Sequence, residues 1–193
     1  MIELPDWIVQ ISTIVSNILV TIAAIWGINQ WRDQIKFGDQ YKTARKLRGL
    51  SLAFKREFGL TRRDPPLFLF AETKVLDDLI KRRQTLNDDF CERCNHLDKL
   101  YKIVGDLYDE SINVEGFIDE KEGGLTIPLE NAYKQLNGAF KIYKQLIETC
   151  DQETLDIFLD NRNIIFSDGN DEFSKTVETA VKDIRKKLKK YLP

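Results

Sequence analysis

Residues 7–28 read WIVQISTIVSNILVTIAAIWGI, and not one of them carries a charge. At a rise of 1.5 Å per residue, an uncharged helix of this length spans roughly 30 Å, the thickness of a bilayer's hydrocarbon core. Trp7 stands at one edge of the run and Trp26 and Trp31 at the other, where indole rings favour the headgroup region. Glu3 and Asp6 precede the run; the first basic residue of the chain is Arg32, followed by Lys36, Lys42, Arg45, Lys46 and Arg48. Basic flanks stay on the cytoplasmic side, so this asymmetry predicts an N-terminus outside and the remainder in the cytoplasm. An acidic start argues against a cleaved signal peptide, which wants a basic region before its apolar core. The length and the tryptophans argue against the core helix of a soluble protein. The reading is a transmembrane segment over 1–31, its helix over about 7–28, and a cytoplasmic helical domain over 32–193.

That segment is too polar for a simple tether. At 100° per residue, Gln10, Thr13, Asn17 and Thr21 share about a quarter of the circumference. Ser12, Ser16, Ala23 and Gly27 form a stripe of small residues on roughly the opposite side, where another helix backbone could approach closely. Gln10 and Asn17 facing acyl chains would be costly, so both stripes point to self-association. Two assemblies fit. In a small, tight oligomer the polar stripe is a dry hydrogen-bonded seam; in a larger ring it lines a pore, with the small residues at the subunit contacts.

Beyond the membrane the pattern stays helical. All 29 basic residues and all but two of the 31 acidic ones fall in 32–193, so that part is formally neutral and unlike a generic nucleic-acid binder. Trp31, Ile35, Tyr41, Ala44, Leu47, Phe54 and Phe58 form an amphipathic stripe that extends the membrane helix, until GLTRRDPP (59–66) breaks it. Leu76, Ile80, Leu86, Phe90, Leu97, Tyr101, Val104 and Tyr108 mark a second run from about 67 to 109, as one helix or as two joined near 87–92. Residues 113–126, with Gly116, Gly123 and Gly124, read as a loop. Pro128 suits the first turn of a helix reaching Cys150, with Leu129, Tyr133, Leu136, Phe140, Tyr143 and Ile147 on one face. TLDIFLD (154–160) suggests a short helix and NIIFS (163–167) an extended piece. Asp168 or Asn170 then caps a last helix carrying Phe173, Val177, Val181, Ile184 and Leu188. The expected fold is all-α: one transmembrane helix, then an antiparallel bundle of four to five helices.

Little in the chain promises catalysis. It holds one histidine, His96, and no Gly-rich phosphate loop, nucleophile elbow or HExxH. Asp77/Asp78 and Asp88/Asp89 are adjacent pairs that point apart on a helix, the pattern of solvated charge. CERCNH (91–96) puts Cys91 and Cys94 on one face, and Cys150 with His96 would complete a Cys3His zinc set. His96 lies two residues from Cys94 and points away, so no metal or other cofactor is expected. Cysteine content this low also builds no disulfide framework. Basic clusters remain: Lys182, Arg185, Lys186, Lys187, Lys189 and Lys190 end the chain, with weaker groups at Arg62/Arg63 and Lys81/Arg82/Arg83. Cations at a helix C-terminus complement its dipole; the alternative is contact with anionic lipid or a nucleic-acid ligand.

An N-terminal membrane helix with a polar stripe leads through AIWGINQWRDQ (24–34) and ARKLRGL (44–50) into a small helical domain. This layout, over nearly the whole chain, resembles the membrane effectors of bacterial anti-phage defence. It is similar to the CRISPR-associated accessory pore built on a divergent HEPN bundle, and to the membrane effector of Hailong defence. The resemblance implies a ring of subunits in the bacterial inner membrane that permeabilises or depolarises it, gated through the cytoplasmic domain. The implied partners are further copies of the chain, membrane lipid and an unidentified trigger, protein or nucleic acid. HEPN RNases place Arg and His four to six residues apart, whereas Arg93 and His96 here have two residues between them. The leading reading is therefore a non-enzymatic pore effector. A membrane-anchored interaction module and a tethered HEPN-like RNase are the alternatives.

Overall fold

The first helix, α1, runs without a break from Asp6 to Thr61, so neither Gly27, Gly38 nor Gly49 ends it. In the computed structural model the backbone is described for residues 6–64, 80–115, 118, 124–167 and 171–192, and side chains from residue 14 onward. Every regular element among these residues is helical. The chain divides into two compact units, and the division falls inside α1, after Lys42.

In the first unit every side chain from Ile14 to Phe37 is exposed. Among the described residues, α1 alone is long and apolar enough to cross a membrane, and its most apolar stretch is 0% buried.

The second unit begins as the same helix acquires a core. Ala44, Leu47, Phe54 and Phe58 of α1 are buried, as their spacing predicts, whereas Trp31 and Ile35 of the same stripe are exposed and Tyr41 is half-buried. The unit continues with α2 (Arg83–Glu115), α3 (Ile127–Thr149), α4 (Gln152–Ile165) and α5 (Glu172–Leu188), followed by a 3-10 turn, Lys189–Tyr191. The third helix is central, packing against α2, α4 and α5. Its Tyr143 is fully enclosed by rings, with centroids 5.5 Å from Phe90, 5.3 Å from Phe158 and 5.7 Å from Phe166. Each such side chain contributes about 1.5–3 kcal/mol by leaving water.

Several boundaries differ from the sequence reading. The second run is one helix from Arg83 with no joint at 87–92, and it continues through residues 113–115, which the glycines had suggested were loop. Its buried side is Leu86, Leu97, Leu100, Leu107 and Val114, whereas Tyr101, Tyr108 and Ile80 are exposed. An aromatic ring with a polar tip satisfies a hydrophobic period without needing burial, so the tyrosines misplaced the face by one position. Residues 163–165 are helical rather than extended and form the last turn of α4, whose N-cap Asp151 accepts from the Thr154 N–H at 2.7 Å. The cap of α5 is Asp171, which accepts from the Ser174 N–H at 2.8 Å; Asp168 and Asn170 lie outside the described residues, as do Leu76 and Asp77/Asp78.

Two arginines with no exposed surface tie these helix ends together. The Arg62 guanidinium donates to the carbonyls of Asn163 (2.5 Å), Ile164 (2.7 Å) and Phe166 (3.1 Å), to Ser174 Oγ (2.6 Å) and to Asp171 Oδ1 (3.0 Å). It thus satisfies the orphan carbonyls at the end of α4 and the carboxylate that caps α5. The rings of Phe58 and Phe173 flank it at 5.1 and 4.8 Å. Arg93 does the same for α1, donating to the carbonyls of Thr61 (3.1 Å), Arg63 (2.8 Å) and Asp64 (2.9 Å) and to Asp89 (2.6 Å).

Removing one partner of a buried charge pair leaves the other unpaired, at a cost of about 3–5 kcal/mol, while an exposed pair contributes about 0–1 kcal/mol. Chemical denaturation of the full chain in non-ionic detergent should therefore show Arg62→Met losing about 3–5 kcal/mol, and Arg63→Met no more than about 1 kcal/mol. Equal losses from the two substitutions would contradict this assignment.

Candidate functional site

Of the polar stripe, Gln10 and Thr13 have no described side chains, and the same holds for Ser12 among the small residues. Asn17 and Thr21 are described, exposed, and four residues apart on α1. They are not equivalent. The Thr21 hydroxyl donates back to the Asn17 carbonyl at 2.8 Å, which satisfies it inside its own helix. The Asn17 side-chain amide makes no hydrogen bond among the described residues. An amide left unpaired in an apolar medium costs several kcal/mol, roughly 2–7 depending on the reference, so of the two side chains Asn17 has the greater need of a further hydrogen-bond partner. Ser16, Ala23 and Gly27 are exposed as well, and a Cβ at Gly27 would meet no atom within 4 Å.

The pair Arg93 and His96 does not form a phosphate-facing site. Arg93 is fully enclosed and spends every guanidinium nitrogen on carbonyls and on Asp89. His96 Nδ1 lies 2.8 Å from Glu57 Oε2, and Glu57 is itself buried on the inner face of α1. The hydrogen bond from His96, assisted by Arg56, holds the Glu57 carboxyl below its usual range, against the opposing effect of burial. Neither Asp88 nor Asp89 has a free role: Asp88 accepts from Gln84 (2.9 Å), and Asp89 is shared by Arg93 and Arg63.

The three cysteines are scattered in environment rather than gathered. Cys91 is exposed, Cys94 is half-buried with its thiol pushed up to about 11 by that burial, and Cys150 ends α3 with a left-handed φ of 48°. No group of three potential metal ligands occurs among the described residues.

The basic candidates separate into three kinds. Arg62 is internal, so it offers no surface contact. Arg63 forms a fork on Glu92 (2.5 and 2.6 Å) and also reaches Asp89. Lys81, Arg82 and Arg83 are exposed, and Arg83 donates to the Glu148 carbonyl at 2.9 Å. Lys182, Arg185, Lys186 and Lys189 behave differently. Their spacing of three, one and three residues puts them on one side of α5 and the turn that follows, and together with Leu192 they line a groove of about 530 Å³. Arg48 of α1 forms part of its lining. Sequence reading missed Arg48, because nothing local to ARKLRGL says that it meets the end of the chain.

No known protein family, curated protein or solved structure matches this chain.

Two of the lowered carboxylates, Asp171 and Glu57, give a pH signature. Burial raises the Asp171 carboxyl, but hydrogen bonds from Ser167, from the Ser174 N–H and from Arg62 outweigh it and leave the group well below the normal range. A lowered folded-state pKa stabilises above the unfolded value, near 4, and that stabilisation is lost as pH falls through the folded value. Glu57 carries the same sign. Stability of the wild-type chain should therefore fall steadily from about pH 4 downward. Asp171→Asn should be less stable at neutral pH, and its deficit should narrow in acid. A deficit that stays constant from pH 7 to pH 3 would contradict this.

Proposed function

We propose that this chain is a non-enzymatic, oligomeric membrane pore effector. Its N-terminal helix crosses the bacterial inner membrane with the N-terminus outside, and its second unit lies in the cytoplasm as a helical bundle. On a trigger received by that domain, the assembly permeabilises or depolarises the membrane, as in the anti-phage effectors that its layout resembles. The observation that carries this reading is the uncovered apolar half of α1 with the unpaired Asn17 amide in the middle of it. Lipid accounts for the apolar side chains, but not for Asn17, which needs a neighbouring copy or water. The absence of Lys and Arg before Arg32 supports the orientation. Continuity of α1 from the apolar segment into the core of the second unit supports gating, since one helix belongs to both.

A second reading has its own observation. Thr21 is satisfied within its helix, so the polar stripe is drier than its composition suggests. A helix that merely anchors an interaction module would then suffice. Exchanging residues 7–28 for an unrelated membrane helix preserves function on this reading and abolishes it on the first.

Mass measurement of the detergent-solubilised complex, paired with dye release from liposomes, tests the proposal. Four or more subunits and release of dye are expected; a dimer in tight liposomes would reject the pore. Asn17→Leu should weaken association by about 1–2 kcal/mol per interhelical amide bond, roughly 5–30-fold, while Thr21→Val should change it little.

A further inference from the structure

The groove between Arg48 and the end of α5 has a charge arrangement that folding does not explain. The macrodipole favours cations in a helix's last turn, and Arg185, Lys186 and Lys187 occupy that turn of α5. Lys182 lies outside it, and Arg48 comes from a different helix, yet both face the same groove. Lys187, in the last turn, lines a different cavity. Like charges four residues apart destabilise a helix by a few tenths of a kcal/mol per pair, and Lys182/Lys186 and Arg185/Lys189 are two such pairs.

Compensation by acids is slight. Glu178 pairs with Lys55 and stands 3.8 Å from Lys182, while Asp183 lines cavities on another side of α5. Arg48, Arg185, Lys186 and Lys189 make no ion pair among the described residues. Among the described residues the groove is thus lined by five cations and one apolar side chain, with no side-chain carboxylate. Its volume of about 530 Å³ falls within the range of small-molecule sites, about 300–1,000 Å³.

We propose that this groove binds a small anion carrying two or more phosphate groups, which bridges α1 to α5. A phosphate monoester carries about −1.5 to −2 at neutral pH, so a single one leaves most of five positive charges uncompensated, whereas two or three match them. Lys182 and Lys189 are seven residues apart, about 10 Å along a helix, more than one phosphate spans. Leu192 offers an apolar contact beside the charges, as a nucleoside or acyl group would use. The phosphates could belong to a soluble ligand or to a cluster of anionic lipid headgroups; the recognition chemistry is the same. The proposal does not depend on the pore, because it concerns only the second unit.

The test uses the full chain in non-ionic detergent, titrated with tripolyphosphate and with inorganic phosphate, and in parallel the chain in nanodiscs of phosphatidylcholine with or without phosphatidylglycerol. Two doubly reversed variants of equal net charge are compared: Arg185→Glu/Lys186→Glu in the groove, and Lys102→Glu/Lys134→Glu at exposed sites on α2 and α3. Tripolyphosphate should bind at least tenfold more tightly than inorganic phosphate. The groove variant should lose at least tenfold in affinity, and the control should stay within about twofold, as expected for a local rather than a net-charge effect. If only phosphatidylglycerol protects the α5 terminus from proteolysis, and the groove variant abolishes that protection, the headgroup is the source and the site stands. Equal losses in both variants, or no binding from either source, would overturn the proposal. Should the groove variant melt early, Arg185→Gln/Lys186→Gln provides the same comparison at lower charge.

Discussion

Apolar side chains must lie against something other than water, and half of α1 has nothing of its own to lie against. Ile14, Val15, Ile18, Leu19, Val20, Ile22, Ile25 and Ile28 are all at least half exposed or close to it. At about 1.5–3 kcal/mol for each such side chain fully removed from water, leaving them in water would forgo a free energy comparable to the whole stability of a typical domain, about 5–15 kcal/mol. The backbone of the segment is helical throughout, which is the condition lipid imposes on a spanning chain. What remains to be satisfied is the small polar content, and among the described residues the Asn17 amide is the part of the polar stripe left without a hydrogen bond.

The second unit solves the opposite problem, enclosing charge rather than exposing oil. Helices α1 and α4 end inside it, and a helix end leaves carbonyls that must be paired. Arg93 and Arg62 serve those two ends, and each lies beside an aromatic ring or rings: Arg93 lies 4.8 Å from the Phe166 ring centroid, and Arg62 near Phe58 and Phe173. This division of labour explains why arginine stands at both positions. A guanidinium presents five donors in a fixed fork, and lysine could not reach three carbonyls and a carboxylate at once. It also places Arg93 beyond the reach of any substrate.

Much of this was legible in the sequence. The helical periods of Ala44–Phe58, Leu129–Ile147 and Val177–Leu188 each correspond to a buried face, because a stripe made mainly of aliphatic and phenylalanine side chains gains most by facing the core. Tyr101 and Tyr108 misled, since their hydroxyls let them stand in water. The buried arginines were not legible either: Arg62 and Arg63 look alike in sequence, and only the long-range approach of Asn163, Ile164 and Asp171 separates a structural cation from a surface one. Arg48 joining the α5 cations is long-range in the same way. Local pattern predicts faces; it does not say which faces meet.

The most direct test asks whether the exposed half of α1 resides in lipid. Membranes from cells expressing the chain are washed in alkaline carbonate and floated on a density gradient. The account predicts that the protein rises with the vesicles and is released only by detergent. A chain that leaves the vesicles in carbonate and stays monomeric in plain buffer would contradict it.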